Sequence, residues 1–113
     1  MLTIMTPTYN RAYILPEAYR SLREQSCFDF EWIVVDDGSQ DETEQLVRGW
    51  AAQCTDFPIR YCRQPNGGKH RAVNRGVQLA RGAWFLILDS DDSLLPCAVE
   101  RIAGWPAEVA GRD

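Results

Sequence analysis

Four short apolar runs punctuate the chain, and the longer segments between them mix apolar and polar residues in the manner of helices. Leu2 to Met5, Trp32 to Val35, Ile59 to Cys62 and Trp84 to Leu88 read as strands. Leu15 to Gln25, Glu42 to Ala52 and Lys69 to Ala80 read as helices, the second amphipathic with Leu46, Val47 and Trp50 on one face. Thr6-Pro7-Thr8-Tyr9-Asn10 is expected to be a polar turn, Gln64 to Gly68 a loop, and Gly82 the stop of the third helix. Pro96 would open a fourth helix, and the tail from Trp105 to Asp113 contains no further strand. Alternation of this kind predicts an α/β fold with a parallel sheet and right-handed crossovers. The Trp84 to Leu88 run is uncharged and rich in large side chains, which suits a strand covered on both faces.

At 113 residues the chain is a single domain at most, able to bury about two-thirds of its unfolded surface. Its 45% hydrophobic and 25% charged residues are ordinary globular values. No apolar stretch reaches the roughly 18 residues of a membrane-spanning helix. The start, Met1-Leu2-Thr3-Ile4-Met5, lacks the basic segment of a signal peptide, so a cytoplasmic protein is expected. A net charge of −4 argues against non-specific nucleic-acid binding. Cys27, Cys54, Cys62 and Cys97 are too dispersed for zinc or a disulfide framework and are expected to be reduced and mostly buried.

The fourth strand ends in Asp89-Ser90-Asp91-Asp92, three carboxylates in four residues. Carboxylates gathered at one strand end repel one another unless a cation joins them. A hard divalent ion, Mg²⁺ or Mn²⁺, takes one or two carboxylates and fills its other positions with water and phosphate oxygens. Asp91-Asp92-Ser93 would also serve to cap the following helix, but one carboxylate suffices for that and Asp89 precedes any such cap.

A second acidic pair, Asp36-Asp37, follows the second strand and leads into Gly38-Ser39. Alone it reads rather as an Asx turn, with Asp41 adding negative charge at the next helix start, and its coincidence with the first acidic cluster is what favours a ligand site. Strand order 3-2-1-4 would bring both acidic clusters to one crevice beside the first strand, where Thr8, Tyr9 and Asn10 emerge. There Tyr9 could stack on a flat ring, and Asp36 or Asp37 could accept hydrogen bonds from a base or ribose. Gly67-Gly68-Lys69-His70-Arg71 combines glycines that permit close backbone approach with two cationic side chains, as a phosphate loop does, without a Walker pattern.

These segments together resemble the family 2 glycosyltransferases. The resemblance is carried by Pro7 to Arg11, by Val34 to Ser39 with Asp41-Glu42-Thr43, by Gly67-Gly68-Lys69 with Ala72 to Gly76, and by Leu88 to Asp92 with Pro96. It implies a Rossmann-like, three-layer GT-A nucleotide-binding half and a nucleoside diphosphate sugar donor, commonly a UDP sugar. It implies that Asp89-Ser90-Asp91 is the D-x-D motif, with Asp91 on the Mn²⁺ or Mg²⁺ ion and Asp89 on ribose or metal. By the same implication Pro7, Thr8 and Tyr9 line the base pocket, Asp36 or Asp37 reads uracil or ribose, and Lys69 or Arg71 approaches the base or diphosphate.

Inverting members of that family take their general base, and most of their acceptor site, from a second half of the domain. Residues 1–113 are therefore expected to be the donor-binding part, with the base outside this chain rather than at Glu100, Glu108 or Asp113. The expected acceptor is a glycan or lipid, reached in the cytoplasm or at the inner face of the membrane. A face left uncovered by the missing half would favour a homodimer. A silent nucleotide-sugar-binding module is the alternative. A receiver-like or phosphatase-like domain would need acidic residues after the first strand, where this chain has Pro7-Thr8-Tyr9-Asn10.

Overall fold

Strands β1 (Leu2–Thr8), β2 (Phe30–Asp36), β3 (Ile59–Arg63) and β4 (Trp84–Ile87) alternate with helices α1 (Leu15–Arg23), α2 (Thr43–Gln53), α3 (Lys69–Leu79) and α4 (Ala98–Ala103) in the computed structural model, which describes residues 1–103. The strands form one parallel sheet in the order β3-β2-β1-β4, as the sequence predicts. The expected end of the chain, from Trp105 to Asp113, lies outside the described residues.

Topology decides which face each helix covers. The connections β1-α1-β2 and β2-α2-β3 step outward in one direction, whereas β3-α3-β4 runs back across the sheet. Right-handed crossovers then put α3 on the opposite face from α1 and α2. The core follows this division. Leu2, Ile4, Phe30, Trp32 and Val34 pack with Leu15, Ala18, Leu22, Val47 and Val99 on one side. Met5, Ile33 and Val35 pack with Ala72, and with half-buried Val73 and Leu79, on the other. Gly76 lets α3 lie close there, because a Cβ at that position would come within 2.4 Å of the Met5 side chain.

Several expectations change in the structure. β1 continues through the expected turn to Thr8, pairing with β2 at Pro7↔Val35 and Thr8↔Asp36. Pro7 is tolerated because β1 pairs with β4 only over Leu2 to Met5, so no ladder bond on that side needs its missing N–H. α3 ends at Leu79, with Ala80 already extended, so Gly82 does not stop it. Gly82 instead passes against β1, where a Cβ would lie 2.6 Å from both Met1 O and Thr3 N. β4 is half-buried rather than covered on both faces, with β1 as its one neighbour among the described residues. The four cysteines are free and half-buried, because they sit at helix ends, in loops or on the β3 edge rather than in the core. No helix among the described residues is long and apolar enough to cross a membrane.

At the amino-terminal end of the sheet, Glu31 is 1% exposed and carries a charge into the interior. Thr3 Oγ1 donates to it at 2.7 Å, the Arg81 amide at 2.7 Å and Arg60 Nη1 at 2.9 Å. Arg60 also donates to Leu79 O, and the Gly82 amide to Thr3 Oγ1. The cluster ties β1, β2, β3 and the α3-β4 turn together. Burial alone would raise the Glu31 pKa, but the hydrogen bonds from Thr3, Arg81 and Arg60 outweigh it and hold the carboxyl below its ordinary value.

Candidate functional site: a cleft at the carboxyl ends of the strands

The carboxyl ends of β1, β2 and β4 open on the same edge of the sheet, beside the point where the direction of the crossovers reverses. A cleft of about 390 Å³ lies there. Pro7, Thr8 and Tyr9 line it from β1, Asp37 from the end of β2, Lys69 from α3, and Asp89, Ser90 and Asp91 from the loop after β4. Arg11 and Ala72, to which sequence reasoning gave no role, complete the lining. Arg11 stands within the Pro7 to Arg11 match, and that position was the signal available for it.

The β1-α1 loop is braced against the β2-α2 loop, and this presents Tyr9. Asn10 has φ 53°, a left-handed conformation that Asn tolerates better than most residues. Its amide donates to Ser39 Oγ at 2.7 Å, and its Oδ1 accepts from the Gln40 amide at 2.8 Å. Asp41 Oδ2 accepts from the Ala12 amide, while Oδ1 accepts from the amide and hydroxyl of Thr43 at the start of α2. Ser39 and Asp41 thus work as struts, and Tyr9 is left exposed at the mouth of the cleft.

Asp36 and Asp37 part company. Asp36 is fully buried outside the cleft lining, its Oδ1 accepting from the Ser39 amide and its Oδ2 from the Tyr61 hydroxyl. That contact and burial push the Tyr61 hydroxyl pKa well above its ordinary value, burial being the larger cause. Asp37 reaches the loop before α3. Its Oδ1 accepts from the Gly67 amide and Gln64 Nε2, and its Oδ2 from the Gly68 amide at 2.8 Å. Burial opposes the ionised form, but Gln64, the two amides and the nearby Arg71 charge outweigh it and hold the Asp37 carboxyl low. The two glycine amides that suggested a phosphate cradle are therefore already occupied by a protein carboxylate.

Asp37→Ala would leave those two amides and Gln64 without their acceptor at the helix start. A loss of about 2 kcal/mol is expected in denaturant titration. Arg71 lies over Gly67 and lines a separate groove with Arg63, Asn74 and Arg75, outside the cleft.

The loop after β4 turns at once, with the Asp92 amide donating to Asp89 O at 2.9 Å. Because α4 begins at Ala98, Asp91, Asp92 and Ser93 lie too far upstream to cap it. Asp89 Oδ1 meets Lys69 Nζ at 2.8 Å across the cleft. The hydrogen bond and charge of Asp89, with the charges of Asp91 and Asp92 behind it, raise the Lys69 pKa.

Thr8 is 4% exposed and its Oγ1 has no hydrogen-bond partner among the described residues, an uncommon state for a buried hydroxyl. Among those residues no three His, Cys, Asp or Glu side chains converge as a self-sufficient metal site. The donors present, two carboxylates on one turn facing an open cleft, fit a hard cation that completes its shell with phosphate and water oxygens.

The sequence model described as Glycosyl transferase family 2 matches residues 3–106. A PGL/p-HBAD biosynthesis glycosyltransferase of Mycobacterium bovis is 39% identical over 114 residues, covering 100% of this chain and 44% of that protein. The chain thus spans less than half the length of the curated relatives it matches. Among solved structures, S. aureus TarS 1-349 in complex with UDP-GlcNAc superposes with a TM-score of 0.79 at 30% identity, covering 90% of this chain and 30% of that one. The mannosyltransferase PcManGT from Pyrobaculum calidifontis, in complex with GDP-Man and Mn²⁺, gives a TM-score of 0.75 at 33% identity, covering 80% of this chain and 27% of that one.

Proposed function

The chain belongs to glycosyl transferase family 2, and on that premise we propose that it binds the nucleotide-sugar donor of an inverting glycosyltransferase. The observation that carries this reading is the convergence of Asp89, Asp91 and Lys69 opposite Pro7, Thr8 and Tyr9 in one cleft. Tyr9 offers an exposed ring for a base and Lys69 a positive charge for a diphosphate. The relatives' ligands support the donor class: TarS was solved with UDP-GlcNAc and PcManGT with GDP-Man and Mn²⁺. We favour a UDP sugar, a glycan or lipid acceptor, and action in the cytoplasm or at the inner membrane face.

Asp89 and Asp91 are the residues that would hold Mn²⁺ or Mg²⁺, and such an ion supplies positive charge for the leaving diphosphate as the sugar bond breaks. Lys69 adds a second cation on the α3 side. Pro7 and Tyr9 form the wall against which the base is oriented. The general base for the acceptor hydroxyl is expected outside this chain.

Calorimetric titration with UDP, GDP and dTDP, each with and without Mn²⁺, tests ligand class and metal role together. Tightest binding of UDP, dependent on Mn²⁺, is expected; no binding of any of the three would overturn the proposal. Tyr9→Ala should weaken UDP binding by about 1 kcal/mol, roughly fivefold in affinity, through loss of the stacking surface. An unchanged affinity would assign Tyr9 to loop structure alone.

A further inference from the structure

The ammonium of Lys69 lies against Asp89, one of the two carboxylates to which the reading above gives the cation. Its Nζ lies 2.8 Å from Asp89 Oδ1, and both side chains remain open to solvent, 61% and 40% exposed. The backbone around Lys69 is pinned, because Asp37 holds the amides of Gly67 and Gly68 immediately before it. The long aliphatic stem is not pinned. An ammonium on such a stem is a compact point charge that can change anionic partners without moving the helix.

A divalent ion held by Asp89 would stand close to the Lys69 ammonium, and the two positive charges would repel each other across the shared carboxylate. With Lys69 withdrawn, the negative charges of Asp89 and Asp91, which line the same cleft, would lose their counter-ion. The same cleft is lined by Thr8, whose buried hydroxyl has no hydrogen-bond partner among the described residues.

We propose that Lys69 is the resident counter-ion of the cleft, neutralising Asp89 in the free protein and changing partner to the donor's diphosphate when a divalent ion takes that carboxylate. This rests on the donor-binding reading above and adds an order to it. A divalent ion alone binds weakly, because it must displace Lys69. A diphosphate gives the displaced ammonium a new anionic partner, so nucleotide and ion bind with positive coupling. By linkage each raises the affinity of the other by the same factor.

Lys69→Met removes the charge and keeps the stem. Mn²⁺ binding to the whole chain, followed by electron paramagnetic resonance of the free ion with and without UDP, reads the coupling without reference to turnover. In the parent protein UDP should raise Mn²⁺ affinity at least about fivefold, the lower end of typical coupling between sites. In Lys69→Met, Mn²⁺ alone should bind at least about fivefold tighter, and the enhancement by UDP should fall towards one. Lys69→Arg keeps a cation beside Asp89 and should restore the parent pattern. Arg75→Met removes a charge from the same helix outside the cleft and should leave Mn²⁺ affinity unchanged.

Unaltered Mn²⁺ affinity in Lys69→Met, with Mn²⁺ and UDP binding intact in the parent, overturns the counter-ion role and leaves the donor site standing. An equal gain in Arg75→Met also overturns it, because bulk charge would then explain the effect. A parent protein that binds neither Mn²⁺ nor UDP overturns both readings.

Discussion

Asp91→Asn should abolish Mn²⁺-dependent nucleotide binding while leaving the fold in place. Asp91 lies on an exposed turn, lines the cleft and makes no hydrogen bond among the described residues. Replacing it removes nothing that holds the chain together, so stability should stay within about 0.5 kcal/mol of the parent. The amide keeps an oxygen of similar reach but loses the charge that makes a carboxylate a good partner for a hard cation. Loss of groups that merely orient metal ligands lowers affinity 10- to 100-fold, so loss of a direct ligand should lower UDP affinity in Mn²⁺ by about 100-fold or more. Titration of UDP with and without Mn²⁺ would show the two curves merging in the variant. Retained Mn²⁺ dependence would remove Asp91 from the metal site.

Glu31→Ala should cost about 3 kcal/mol. It strips the acceptor from Thr3 Oγ1, from the Arg81 amide and from Arg60, whose guanidinium keeps only Leu79 O as partner among the described residues. Arg60 is 27% exposed, so water recovers part of its solvation and the loss stays at the lower end of that seen for broken buried ion pairs. The same cluster gives stability a pH dependence of definite sign. The folded carboxyl titrates below the ordinary Glu value of 4.5, so its contribution is complete above that pH and fades as pH falls through the folded value. Acid unfolding of Glu31→Gln should therefore start from a lower stability and fall less steeply below about pH 4.5 than the parent. Parallel curves for the two proteins would exclude this origin. Asp37 and Asp41, also held low, maintain a residual acid slope in both.

Much of the fold was legible because the information lay close together along the chain. Each strand and helix announced itself through a run or a face of apolar residues, and each observed element falls within a few residues of its expected place. The order β3-β2-β1-β4 was also legible, for a chemical reason: it brought the acidic ends of the second and fourth strands to one crevice beside the first. The errors were made at element ends. Thr6-Pro7-Thr8 reads as a turn by composition, yet β2 offers a parallel partner as far as Asp36 and draws β1 out to Thr8.

The cleft was legible as a gathering of residues, but not as a network. Sequence reasoning treated Asp36 and Asp37 as interchangeable, and the structure buries one under Tyr61 and spends the other on the amides before α3. Lys69 and Arg71 also looked alike; only Lys69 faces Asp89. Glu31 gave no signal at all, since a charged residue beside Phe30 and Trp32 looks like the solvated side of an edge strand until β3 and β1 close over it.

Local patterning by itself determined the alternation of elements, the parallel sheet and the set of residues gathered at its carboxyl edge. Tertiary structure alone decided which carboxylates stay open to a ligand and which are consumed as acceptors within the protein. The reason is physical: apolar periodicity is written within a dozen neighbouring residues, whereas the partner of Asp37, Lys69 or Glu31 is brought to it from 20 to 50 residues away by the packing of the sheet.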